Sequence, residues 1–379
     1  MRKAVVFIFS GLFFLLSVFF SAPVQAQSDQ INTTYQTGTV IKIISQQAFQ
    51  NENKNFYTQR VEVRSDSTGA VQAISFGSEF QPLGENQKLE VGSKVIISLQ
   101  QVTSDTPEFV ITDVYRIPIL VALALVFVLF VAVIGGRQGV LSIVGMIFSL
   151  FVLIAFIVPH ILAGESPFLI TLLGATATAV VTMYVSHGFK RQSHIALFSM
   201  LLCLAAAALL SNLVVQLGHF VGLGSEDAMY LQFGVSQHIN LRGLLLAGIF
   251  LGTLGILDDI TLAQTAVIEQ LKSVHPKITF SELYERGITV GKDHVASLVN
   301  TLVFAYAGTS LPLFLLFTLN RTQPTWVLLN SELIAEEIVR TLVGSIALIM
   351  AVPITTCIAA YYVTHLKDKT IKNVKKDAP

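Results

Sequence analysis

The chain has 379 residues, of which 53% are hydrophobic and 13% charged, and its formal net charge at pH 7 is zero. The charged fraction is about half that of an ordinary soluble domain, which places the chain among multi-pass membrane proteins rather than globular enzymes. Zero net charge gives no general attraction to nucleic acid. The two cysteines, Cys203 and Cys357, lie in apolar runs, so no disulfide framework is expected.

Residues 1–26 read as a secretory signal: Arg2 and Lys3 precede an apolar stretch over 4–20, and Val24-Gln25-Ala26 fits a small-x-small cleavage site. An uncleaved anchor is the alternative, and either form delivers Gln27 onward to the outer side. Residues 27–113 alternate like strands at 37–44, 56–63, 71–76, 94–99 and 109–114, with a turn at Asp66-Ser67-Thr68-Gly69. Five short strands in under ninety residues predict a small extracytoplasmic β-barrel-like domain, OB-like or similar. It lacks a clustered basic and aromatic face, so a structural or partner-docking role is expected rather than ligand binding.

Seven apolar segments follow within 117–363, at 117–136, 140–158, 168–186, 195–217, 241–257, 290–319 and 334–363. Most approach or exceed the roughly 20 residues that cross ~30 Å of hydrocarbon. They predict an α-helical polytopic membrane protein of seven transmembrane helices. The fifth is the shortest, unless it continues through Asp258-Asp259. With the β domain outside, Arg137, Lys190, Arg191, Lys272, Lys277 and Arg286 fall on the inner side. So does a basic tail at 364–379, while Arg321 is an outer exception. The expected location is the cell membrane, with the C-terminus cytoplasmic.

Three of these runs carry carboxylates, each costing roughly 2.5–3.5 kcal/mol near a bilayer centre. Asp258 and Asp259 point about 100° apart on a helix, so they form no acid pair on one face. Asp258, Thr261, Thr265 and Glu269 share one face, and Gln264 lies beside Asp259. Three readings fit. One is a polar stripe lining a path, and another is a helix broken at Asp258 or Asp259, which then caps a new segment. The third is a carboxylate at the cytoplasmic interface. Gly248, Gly252 and Gly255 predict a face that a neighbouring helix approaches closely.

The sixth run starts with Lys292-Asp293-His294, and Asp293, Ser297 and Asn300 descend one face toward a kink at Pro312. Asp293 and His294 read as a path or as an interfacial pair about one turn inside; Asn300, deeper, needs hydrogen-bond partners. In the seventh, Glu336 and Arg340 can pair at i, i+4. Glu337 opens a second face, and Pro353 is expected to break the helix. The candidate substrate or ion path is therefore Asp258, Asp259, Gln264, Glu269, Asp293, His294, Ser297, Asn300, Glu337 and Arg340. No catalytic residue is assigned. The eight histidines show no metal-ligand spacing on a shared face, so neither metal nor other cofactor is expected.

Gly255-Ile256-Leu257-Asp258-Asp259-Ile260-Thr261 with Gln264 and Glu269 resembles a stretch of the YibE/F-like family of bacterial integral membrane proteins. So do Gly291-Lys292-Asp293-His294-Val295-Ala296-Ser297 with Asn300-Thr301-Leu302, and Glu337, Arg340, Gly344-Ser345 and Pro353-Ile354-Thr355. The resemblance covers about 117–363. It implies a multi-pass membrane protein with a β segment before the first span and no established activity.

Two functions are weighed. The first is a transport or permeation protein whose intramembrane carboxylates bind a cation or relay protons. The second is a non-transport assembly or envelope-sensing scaffold whose outer β domain docks a partner. A membrane-embedded enzyme ranks third, because carboxylates alone define no nucleophile or metal. The partners expected are the lipid bilayer, an extracytoplasmic protein, and a homo-oligomer or related membrane subunit; nucleic acid is not among them.

Overall fold

The computed structural model describes residues 34–366, apart from 52–53, 79–81, 101–107, 236–237 and 320–322. The signal sequence, Arg321 and the tail beyond Leu366 lie outside the described residues. The chain forms two compact units, one ending at Phe130 and one running from Val131.

All five expected strands form: β1 Thr34–Asn51, β2 Lys54–Ser65, β3 Val71–Phe76, β4 Lys94–Gln100 and β5 Glu108–Val114. They make one antiparallel sheet in the order β3-β2-β1-β4-β5. Alternate residues of β2 from Tyr57 to Ser65 are buried, the period of a sheet with one face on a core. Register shifts in β1 at Val40/Lys42 and Ile43/Ser45 sharpen its twist. The sheet curls around Val40, Val61, Ile74, Leu89, Val95 and Ile97. Gly38 sits at the tightest point: a Cβ there would meet side chains of Ile97 and Val63 at 2.7 Å each. The sheet is curled and antiparallel, and a closed barrel is not formed among the described residues. β3 and β5 approach each other at the two ends of the order but share no ladder among the described residues.

Gln59 locks the curl. Buried to 2% exposure, it accepts from the Leu89 amide at 2.7 Å and donates to the Leu89 carbonyl at 3.1 Å. Gln59→Ala strands both backbone groups, and a buried unsatisfied group costs roughly 1–3 kcal/mol. Thermal unfolding of the β domain, followed by circular dichroism at strand wavelengths, is expected to show a loss of about 2 kcal/mol.

The remainder is helical: α1 Ile117–Leu162, α2 Pro167–His187, α3 Arg191–Leu217, α4 Leu241–Val274, α5 Phe280–Thr309, α6 Leu311–Leu319 and α7 Glu332–Tyr361. By length and composition five elements among the described residues can cross a membrane, namely α1 to α4 and α7 extended to His365. A sixth is the pair α5–α6, bent by 63° next to Pro312, where a kink was expected. Against the seven expected spans, the described residues thus give five or six candidates.

The difference lies at Gly136. The first two expected spans fall in one 46-residue helical element, interrupted where Gly136 adopts φ 54°, ψ −137°. That positive φ suits glycine alone. A Cβ on Gly139 would clash with the Val131 carbonyl oxygen, whereas a straight helix would hold residues eight apart at about 12 Å. The axis therefore turns sharply at Gly136.

Two other expectations are corrected, at α4 and at α7. α4 runs unbroken through Asp258-Asp259 to Val274, so no broken helix exists there. α5 starts at Phe280 behind a capping box of Thr279 and Glu282, ten residues before the expected apolar run. α7 continues through Pro353; beyond it the Thr356 hydroxyl donates to the Val352 carbonyl at 2.6 Å.

α4 is the hub of the membrane unit, packed by α2, α3, α5 and α7. Small residues permit close approach: Ala175 and Ala179 on α2, Ala196 and Cys203 on α3, Ala351 on α7. Of the three expected contact glycines only Gly252 is crowded, with the Tyr306 hydroxyl 2.6 Å from a Cβ position; Gly248 and Gly255 face open space.

Candidate functional site

Gly255 faces open space because it borders a cavity of about 710 Å³ between α1 beyond the Gly136 turn, α2, α3 and α4. Asp258 and Asp259 both line it. Although 100° apart on α4, the two carboxyls reach one space because the cavity wraps around that side of the helix. One Asp258 oxygen, Oδ1, is buried and has no hydrogen-bond partner among the described residues. Asp259 is exposed. Opposite them, His187 ends α2 and its Nδ1 accepts from the Gln138 side-chain amide at 2.9 Å.

The walls are polar in two stripes. On α1, Gln138, Ser142, Gly145 and Ser149 recur at i, i+4, i+7 and i+11; on α2, Thr178, Thr182 and Ser186 recur every four residues. Both spacings keep one face of a helix turned to the cavity. The Ser149 hydroxyl donates to the Gly145 carbonyl at 2.9 Å, and Thr182 donates to Thr178 at 2.9 Å. Each hydroxyl thereby satisfies its proton within its own helix and retains oxygen lone pairs for a cation or water. From Ser186 to Thr178 the stripe is about 12 Å long.

The depth of the carboxylates follows from one bond. Gln192, in the first turn of α3, donates to the Leu262 carbonyl of the antiparallel α4 at 3.4 Å. Asp258 and Asp259 therefore lie about one turn inside the end of the bundle where α2 meets α3. The acids lie toward that end of the bundle, and the hydroxyl stripes run from there along α1 and α2.

The other expected path residues separate into three places. Gln264 is a lock: buried to 2% exposure, its amide donates to the Gly287 carbonyl at 2.8 Å and to Thr356 Oγ1 at 2.7 Å, joining α4, α5 and α7. Thr261 and Thr265, on the expected polar face, are fully buried and bond their own helix. Glu269 is half-buried about 15 Å further along α4. Asp293, His294, Ser297 and Asn300 are exposed on α5.

Glu337 pairs with Arg340 at 3.0 Å, replacing the expected Glu336–Arg340 pair. Glu336 instead accepts from the Gly224 amide at 3.0 Å, while Glu332 accepts from Val221 at 2.6 Å and Gly222 at 2.8 Å. These carboxylates clamp the chain after α3 onto the start of α7. Among the described residues no group of three His, Cys, Asp or Glu is placed to hold a metal ion.

A search for carboxylates finds Asp258 and Asp259 but not their surroundings. Gln138, the serines, the threonines and His187 carry a signal in sequence, the helical recurrence of small hydroxyls within apolar runs. Glu332 carries none, since its partners are backbone amides over a hundred residues away.

Comparison with known proteins agrees with the resemblance. A model of the YibE/F-like protein family matches residues 123–365, which include every cavity-lining position. No curated protein and no solved structure matches the chain.

Proposed function

The chain belongs to the YibE/F-like family, and on that footing we propose that it is a transport or permeation protein of the cell membrane, moving protons or a small cation. The observation that carries this reading is the cavity: two carboxylates, a histidine and two hydroxyl stripes facing one space within an apolar bundle. An ionised carboxyl with an unpartnered oxygen in such surroundings is costly unless a cation, a proton or water meets it. Asp258 and Asp259 collect the ion at the mouth, His187 exchanges a proton with them, and the hydroxyl stripes carry it inward.

The same proposal fixes the topology. The sharp turn at Gly136 supports reading α1 as two spans; with the bent pair counted as one, that reading gives seven. The Lys and Arg distribution supports a cytoplasmic mouth at the α2–α3 end, an extracytoplasmic β domain at 27–113, and a cytoplasmic C-terminus. The strand order supports an OB-like curl.

The test is reconstitution into vesicles holding a pH-sensitive dye, with imposed proton, sodium or potassium gradients. Gly255→Phe fills the cavity from a position where a Cβ meets nothing within 4 Å. Gradient-driven flux in the parent chain and its loss in this variant are expected. Equal flux in both, or none in the parent, sinks the reading.

The scaffold reading draws on the sheet. β3 and β5 border a groove of about 960 Å³ lined by Gln72, Ser75, Phe109 and Thr112 among others, and edge strands accept an added strand. Deleting residues 27–113 separates the two readings. Retained flux assigns the cavity to transport; lost partner capture with intact membrane helices favours the scaffold.

A further inference from the structure

One face of α5 packs on α4 and α7 through Leu283, Gly287, Gly291 and Leu302, all buried. At 100° per residue, Arg286, Asp293 and Asn300 lie on the opposite side, spaced by sevens, and all three are exposed. None forms an ion pair or side-chain hydrogen bond among the described residues. On the topology proposed above, the stripe crosses the boundary of the bilayer. Gly291 lies beside Gln264 near the α2–α3 end of the bundle, so Asn300 lies some 13 Å deeper. An amide turned outward at that depth meets lipid, where nothing can accept or donate a hydrogen bond.

We infer that this face of α5 is the contact between two copies of the chain. A two-fold axis along the membrane normal sets the two α5 helices parallel, and identical residues then meet. The spacing of seven is that of one seam position of a parallel helix pair, where each residue packs beside the one preceding its counterpart. At both charged levels the flanking position carries the opposite charge, which offsets the like pairs Arg286–Arg286 and Asp293–Asp293 that meet on the axis. Arg286 meets Glu285 of the second copy, and Asp293 meets Lys292 of the second copy. Glu285 and Lys292 are likewise exposed. Asn300 meets Asn300, and an amide both donates and accepts, so the pair satisfies itself. Thr289 and Ala296, between these layers, are small enough for close approach.

The experiment uses the full chain in native membranes, with Cys203→Ala and Cys357→Ser as background. Oxidation is expected to yield a covalent dimer through Asn300→Cys and none through Leu209→Cys, which is 73% exposed on α3. Asp293→Lys is expected to lower the cross-linked fraction roughly fivefold, and adding Lys292→Asp to restore it. Light scattering of the unmodified protein in detergent is expected to give the mass of a dimer. A monomer mass, or equal cross-linking at both cysteines, overturns the inference. So does labelling of Asn300→Cys by a membrane-impermeant thiol reagent without cross-linking, because the face then lines water.

Discussion

Asp258→Asn is expected to lower flux through the reconstituted protein about 100-fold, the scale on which a positioned proton-transferring group acts. The protein should still insert and elute as one species. The substitution keeps shape and one carbonyl oxygen while removing both the charge and the exchangeable acid proton. Its folding effect should be small because Oδ1 has no protein partner to lose. Asp259→Asn should cost less, since Asp259 is exposed and its site can be refilled by water. Gradient-driven dye response in vesicles measures both. Undiminished flux in Asp258→Asn would remove the carboxyl from the path and leave the cavity as a packing feature.

The second large effect concerns assembly of the bundle. Gly291 lies against Val352 Cγ1 of α7 and, at 3.1 Å from a Cβ position, the Gln264 amide of α4. Valine is stiff at χ1 and cannot swing aside, and Gln264 is held by Gly287 and Thr356. Gly291→Leu therefore has no space to enter. Either α5 moves off its neighbours or the lock opens, and overpacking of this kind costs about 3 kcal/mol. Thermal unfolding in detergent should show a midpoint lower by roughly 6–12 °C. An unchanged midpoint would mean that α5 is not seated on α4 and α7 as described. The contrast with Asp258→Asn is diagnostic, because one variant loses flux with stability kept and the other loses stability first.

The strands were legible because burial on one face imposes a period of two, and 71–76 and 109–114 match β3 and β5 to within a residue. The apolar helices were legible from run length. Helical stretches that leave the apolar run were not. The second half of α4 and the first ten residues of α5 are polar, and they are helical because they pack on each other and on α7 through Ile268, Leu283 and Ala359. Periodicity alone cannot see that partner surface. The same limit explains the site. Asp258 and Asp259 stand out as charges in apolar surroundings, whereas Gln264 looks like one more path residue until Gly287 and Thr356 are brought to it from 23 and 92 residues away. Asp293 and Asn300 share a face with each other, but only the packing of α5 reveals that the face turns outward.

The turn at Gly136 bears on how the chain enters the membrane. On the proposed topology, a connection that tight would leave no independent loop to halt between two separate insertion events, and the segments on either side would partition into lipid together, as a pre-formed hairpin. The pair would carry Gln138, Ser142 and Ser149 in with it, shielded only once α2 arrives. Early in synthesis the wall of the cavity would then be a polar stripe awaiting its cover, and completion of α2 would be the step that commits the nascent chain to its final arrangement.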